Sequence, residues 1–344
     1  MSKKDYLKSK KHIAEHSSWD RRGFLKTLGI AGAGAISFGN SSLSVLNSNF
    51  LTNALTGSTS DRSLVLIRLK GGNDGLNTIV PLNHFDTYVN KRPNIHIPKS
   101  NLIKLSDDFA IPNHMRNLEP MWKEGEMKVV NGVGYENSSG SHFKSSDIWA
   151  SATNNNEIST GWLGRYYDEK YLDYLTNPTE KPLAIQIGSR GNLIFNGEKT
   201  SYAFAVSSPE RLKKVAENGT LFDTKNLPDC THGDQIEFLR RISNATYSYA
   251  SVIHEAYNES EDFNKYDAEN DLDTQLSLVS RLIKGGLGSK IYMVSLGGFD
   301  THGSQPEKHQ KLLTTLSDSI KVFYEDLKYY GLDKKVLSLT FSEF

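Results

Sequence analysis

The sequence is poor in several groups that would narrow its function. It holds one cysteine, Cys230, in 344 residues. That excludes an intrachain disulfide, a cysteine-type zinc cluster and an iron–sulfur site. Charge of one sign is not in excess, since 40 Lys and Arg offset 40 Asp and Glu. With no basic stripe interleaved with aromatics either, nothing directs the chain to nucleic acid. No G-x-G-x-x-G follows the first strand-like run, which removes a dinucleotide-binding reading. A transmembrane helix needs about 20 strongly apolar residues. The candidate run, residues 27–38, is shorter and rich in Ala and Gly, so no stable membrane span is expected. Internal repeats and low-complexity domains are also missing.

What is present begins with an address. Asp20-Arg-Arg-Gly-Phe-Leu-Lys26 stands directly before the weakly apolar run. A basic segment followed by a modest hydrophobic one reads as a twin-arginine export signal. Residues 1–40 are therefore assigned to a signal region and the Ser-, Asn- and Thr-rich residues 41–60 to a linker. Residues 61–344 form the folded domain. The expected partner at this end is the twin-arginine export machinery, and the expected location is the periplasm or the medium.

Within the domain, strand-like and helix-like segments alternate. Apolar runs at 64–69, 128–133, 183–187, 290–296 and 335–341 read as strands. Helical spacing marks 143–152, a segment from about 161, 234–257, 273–284 and a long segment from Pro306. Residues 190–230 carry short β-like pieces and one helix, which suggests an insertion or cap rather than core sheet. The pattern predicts an α/β fold: a doubly wound, mostly parallel sheet with helices on both faces. Its last strand has nothing after it to cover it, so the domain is expected to be incomplete at its C-terminus.

Two strand ends share one design. Leu64–Leu69 runs into Lys70-Gly-Gly-Asn-Asp74, and Lys290–Leu296 runs into Gly297-Gly-Phe-Asp-Thr-His302. In open α/β sheets ligands bind outside the carboxyl ends of the strands, and glycines there permit sharp turns. Asp74, Asp300 and His302 are thus candidate metal ligands, of a type that suits zinc or manganese better than calcium. Ser141 stands where a helix N-cap belongs. Close to metal cations and a helix N-terminus, it has the setting of a nucleophile; His142 adjoins it, and Ser138 and Ser139 are its near rivals. Glu343 follows the last strand at the same edge, where three readings stand open: a metal ligand, a group that supports a ligand from behind, or a terminal acid.

Taken together, Arg21-Arg22-Gly-Phe-Leu-Lys26, Gly71-Gly-Asn-Asp-Gly-Leu-Asn77, Ser141-His-Phe143, Gly161-Trp-Leu-Gly-Arg165, Gly297-Gly-Phe-Asp-Thr-His302 with Gln305, and Ser342-Glu-Phe344 resemble a bacterial exported family. This is the domain-of-unknown-function family fifteen-oh-one, placed in the alkaline phosphatase and sulfatase superfamily. The resemblance implies an alkaline-phosphatase-like sheet with two divalent metal ions at the strand ends (zinc, manganese or calcium). It also implies a nucleophile at a helix start and hydrolysis of a small phosphate or sulfate ester. Asp74, Asp300, His302 and Glu343 then correspond to metal-site positions, and Ser141 with His142 to the catalytic pair. Ser342-Glu343 falls where those enzymes often carry Asp-His. No Cys-x-Pro-x-Arg or Ser-x-Pro-x-Arg setting exists, which disfavours a formylglycine sulfatase. The contrasting expectation is an exported binding or assembly protein that keeps the fold without catalysis.

Overall fold

The computed structural model describes residues 62–154, 158–188, 191–219, 221–224, 227 and 231–344. Residues 1–40 and 41–60, expected to be an export signal and a linker, and Cys230 lie outside the described residues.

In chain order the elements are β1 (Ser63–Lys70), α1 (Gly75–Thr78), β2 (Val80–Pro81), α2 (Phe85–Lys91), β3 (Leu102–Lys104), β4 (Phe109–Pro112), α3 (Glu119–Lys123), α4 (His142–Ser151), α5 (Trp162–Lys170), β5 (Ala184–Ile187), β6 (Ala203–Val206), α6 (Pro209–Asn218), α7 (Thr231–Asn258), α8 (Asp271–Lys284), β7 (Ile291–Gly297), α9 (Gln305–Tyr329) and β8 (Val336–Ser342). Five strands form one sheet in the order β6-β5-β7-β1-β8, and every pairing in it is parallel. The α/β expectation holds.

Central parallel strands are covered on both faces, so they read as continuous apolar runs. In β1, Val65, Leu66 and Ile67 are all buried. Val65, Ile67 and Leu69 enter the larger core with α7, α8 and α9, whereas Leu66 enters a second core built around Leu163, Tyr167 and Phe195. Each fully buried side chain of this size contributes roughly 1.5–3 kcal/mol. β8 forms one edge, and Leu337 and Leu339 are exposed there.

The long helices follow their spacing. α8 buries Leu272, Leu276, Val279 and Leu282, and Asn270 caps it by accepting from the Leu272 and Asp273 N–H groups. α9 carries Pro306 in its first turn, where the missing N–H costs nothing. Between these helices lies a buried ion pair. Asp326 is wholly buried, and it accepts from Lys284 Nζ at 2.8 Å, Ser280 Oγ at 2.6 Å, Tyr266 OH at 3.1 Å and the Phe263 N–H at 2.9 Å.

Some local expectations fail. Residues 128–133 are not a strand. Val130 and Val133 are exposed, and Gly132 adopts φ 69°, which ends an extended run. Ala203–Val206, assigned to an insertion, is instead an edge strand of the main sheet, while Leu193–Phe195 forms a 3-10 turn. A small antiparallel sheet, β2-β4-β3, has no counterpart in the sequence reading. Among the described residues no helix is long and apolar enough to cross a membrane.

Removing one partner of a buried ion pair leaves the other charge uncompensated. Asp326→Ala is therefore expected to cost about 3–5 kcal/mol, read as a shift in the denaturant midpoint at unchanged slope. A cost below 1 kcal/mol would show that the pair is dispensable.

Candidate functional site

Three neighbouring strands, β7, β1 and β8, end at the same edge of the sheet. Their ends approach closely because two residues lack a Cβ. Gly71 and Gly72 have φ values of 113° and 74°, a region L side chains rarely occupy. Any Cβ on Gly71 would collide with the backbone of Asp300, and one on Gly72 with the Phe344 ring. The turn after β1 is thus packed against the loop after β7 and the residues after β8.

Four of the predicted residues meet in this space. Glu343, 4% exposed, accepts the Gly71 N–H through Oε1 at 2.8 Å. The same oxygen lies 3.3 Å from His142 Nδ1. His142 Nε2 stands 3.5 Å from Asp300 Oδ1, and His302 Nε2 stands 2.8 Å from that same oxygen. The order is carboxylate, imidazole, carboxylate, imidazole. Burial falls along it: the side chain of Asp300 is 48% exposed and that of His302 is 87% exposed. His142 also packs on Phe344, ring to ring, at 4.8 Å.

His142 arrives there because it is the first residue of α4. Ser141, the residue before, is the N-cap and is exposed, with Oγ accepting from the Lys144 N–H at 3.5 Å. The predicted cap is confirmed as a cap. Nothing else in its bonding marks it as a nucleophile.

Asp74 belongs to a different network. Its Oδ2 accepts from Arg92 Nη1 and from Gln305 Nε2, both at 2.5 Å. Its Oδ1 takes the Asn77 N–H, capping α1. With these three donors it is engaged as an ion pair and a cap. Beside it, Asn73 Oδ1 meets His309 Nε2 at 2.9 Å, and the Asn73 N–H donates to Ser342 Oγ at 2.8 Å. Arg92 and His309 are the residues that sequence reasoning missed. Arg92 sits eighteen positions beyond its partner, and no local spacing reports such a contact.

Two imidazoles lie behind this network, His309 buried and His114 half-buried. Burial holds the His309 pKa below its ordinary value; the Arg92 charge adds to this and the Asp74 charge opposes it. Burial lowers His114 likewise, and His309 adds to that. Among the described residues no three His, Cys, Asp or Glu side chains form a ready-made metal cage. Compared with protein-family models, with curated proteins and with solved structures, the chain matches none.

These two histidines set a pH response. A histidine whose folded pKa is depressed leaves the unfolded chain holding more protons between the two values. Its contribution is complete above the unfolded pKa, near 6.5, and is lost as the pH falls toward the folded one. The melting temperature is therefore expected to drop on acidification below about pH 6.5, with a shallower drop in His114→Gln. An unchanged slope in that variant would remove His114 from the account.

Proposed function

We propose that the protein is an exported, metal-dependent hydrolase of phosphate or sulfate esters. The observation that carries this reading is the approach of two imidazole Nε2 atoms, from His302 and His142, to one oxygen of Asp300 at 2.8 and 3.5 Å. Donor atoms sharing a tetrahedral ion at bond lengths of 2.0–2.1 Å lie about 3.3 Å apart; the His142–Asp300 separation is close to that, whereas the His302–Asp300 contact is the shorter one of a hydrogen-bonded ion pair, which His302 would have to open to share an ion. The chemistry also fits, since imidazole and carboxylate together favour zinc or manganese. Asp300 and His302 are exposed enough to turn toward an ion, and His142 supplies the fixed donor. Asp74 stands outside this set, because its two oxygens are engaged by Arg92, Gln305 and the Asn77 N–H.

A bound ion would polarise the ester and stabilise the developing charge on oxygen. The chain supplies the rest. Ser141 sits at the positive end of α4, where backbone N–H groups favour an anion and orient the ester oxygens. Its Oγ would attack phosphorus or sulfur as the ester P–O or S–O bond breaks, the alcohol leaving with the proton that the serine gives up. Water would then release the acid and regenerate the serine. Export rests on Arg21-Arg22 and the run after it, in agreement with the motif resemblance.

A second reading, an exported binding or assembly protein on the same fold, draws on Asp74. The resemblance assigns that residue to the metal site, and here it is neutralised by Arg92 at 2.5 Å.

Elemental analysis of the full chain, purified without chelators, separates the two. The hydrolase reading expects stoichiometric zinc, manganese or calcium in the parent and in Asp74→Ala, and loss of it in Asp300→Ala. It also expects turnover of an aryl phosphate or sulfate that falls at least about a hundredfold in Ser141→Ala, the scale of single catalytic groups. A parent that holds no metal and takes up none on titration leaves the binding reading in place.

A further inference from the structure

The carboxylate of Glu343 differs from the rest of the cluster in what it is free to do. It is 4% exposed, and the Gly71 backbone N–H fixes its Oε1 at 2.8 Å. The Gly71 turn packs closely against the Asp300 backbone. The same oxygen faces His142 Nδ1 at 3.3 Å, while His142 Nε2 points the other way, to Asp300 Oδ1 at 3.5 Å. The imidazole therefore stands between Glu343 and the exposed Asp300–His302 pair. Phe344 packs against its ring at 4.8 Å.

We infer that Glu343 is a positioning residue rather than a metal ligand: it holds His142 as the Nδ1–H tautomer, so that the Nε2 lone pair is presented to the space shared with Asp300 and His302. The reasoning is chemical. An ionised carboxylate only accepts hydrogen bonds, so the nitrogen facing it carries the proton. A neutral imidazole has one proton on its two nitrogens, which leaves the other nitrogen as a donor atom for a cation. Histidines that bind metals generally give their second N–H to a carboxylate or carbonyl, which fixes the tautomer and raises ligand basicity. Glu343 Oε2 is buried without a hydrogen-bond partner among the described residues. Its group lines a small pocket with Arg68, Ser146 and Trp149. The carboxylate is thus held by the Gly71 backbone and screened from solvent, with His142 between it and the exposed Asp300–His302 pair.

The inference rests on the metal-site reading above, and its test is chosen to fail separately. Long-range nitrogen–proton correlation NMR on the metal-free full chain at neutral pH reports the tautomer of His142 directly. The parent and Glu343→Gln, which keeps an acceptor oxygen, are expected to show Nδ1–H. Glu343→Ala is expected to shift toward Nε2–H. Zinc titration against a competing chelator should then show a 10- to 100-fold weaker affinity in Glu343→Ala, the usual cost of losing such a partner, and loss of binding in Asp300→Ala. A parent with His142 as Nε2–H, or a Glu343→Ala variant with an unchanged tautomer, overturns the assignment whatever the metal does. The expected tautomers together with no zinc binding by the parent would leave Glu343 in its role and remove the hydrolase reading instead.

Discussion

The missing Cβ atoms at Gly71 and Gly72 are the constraint on which the site depends. Parallel strands leave the sheet side by side about 4.8 Å apart, and their following loops compete for the same space. In this chain the turn after the central strand yields, because it presents backbone only. Asp300 settles against one glycine and Phe344 against the other. A side chain at either position would separate the loops and dissolve the chain of contacts from Glu343 to His302. The positive φ values reinforce this, since any larger residue would add backbone strain to the collision.

Around that turn the charged groups fall into two classes. Asp74 is anchored by Arg92, Gln305 and the Asn77 N–H, and Glu343 by its burial and the Gly71 N–H. Asp300 and His302 project from a loop and are substantially open to water. Anchored groups hold geometry; open ones adapt to what arrives. His142 joins the two classes, with one ring nitrogen on each side.

Much of the frame is legible in the sequence. The apolar runs that become β1, β7 and β8 are long and end in glycine or in small polar residues, so both their nature and their ends are clear. The amphipathic periods of α8 and α9 are equally direct. Residues 128–133 mislead because three valines in a short run look like a strand, although no strand among the described residues pairs with them and Gly132 bends the chain. The small β2-β4-β3 sheet escapes notice because strands of two to four residues carry too little pattern. At the site, Asp300, His302, His142 and Glu343 are readable as chemistry-bearing residues near strand or helix ends. Their division of labour is not. Whether an acid binds a cation or an arginine depends on the reach of a side chain from another element, as Arg92 shows, and no spacing rule encodes that.

The strand order has a further bearing on how the molecule is assembled. β1 is the first strand among the described residues, yet both of its neighbours lie far later in the sequence, with Leu64 beside Ile291 and Leu337. Closing so large a loop must precede any reward from the contacts it brings together. Until β7 and β8 have been synthesised, the apolar flanks of β1 have no sheet to join. Nascent chains therefore carry an unpaired, strongly hydrophobic strand until β7 and β8 are made, the kind of species on which chaperones act.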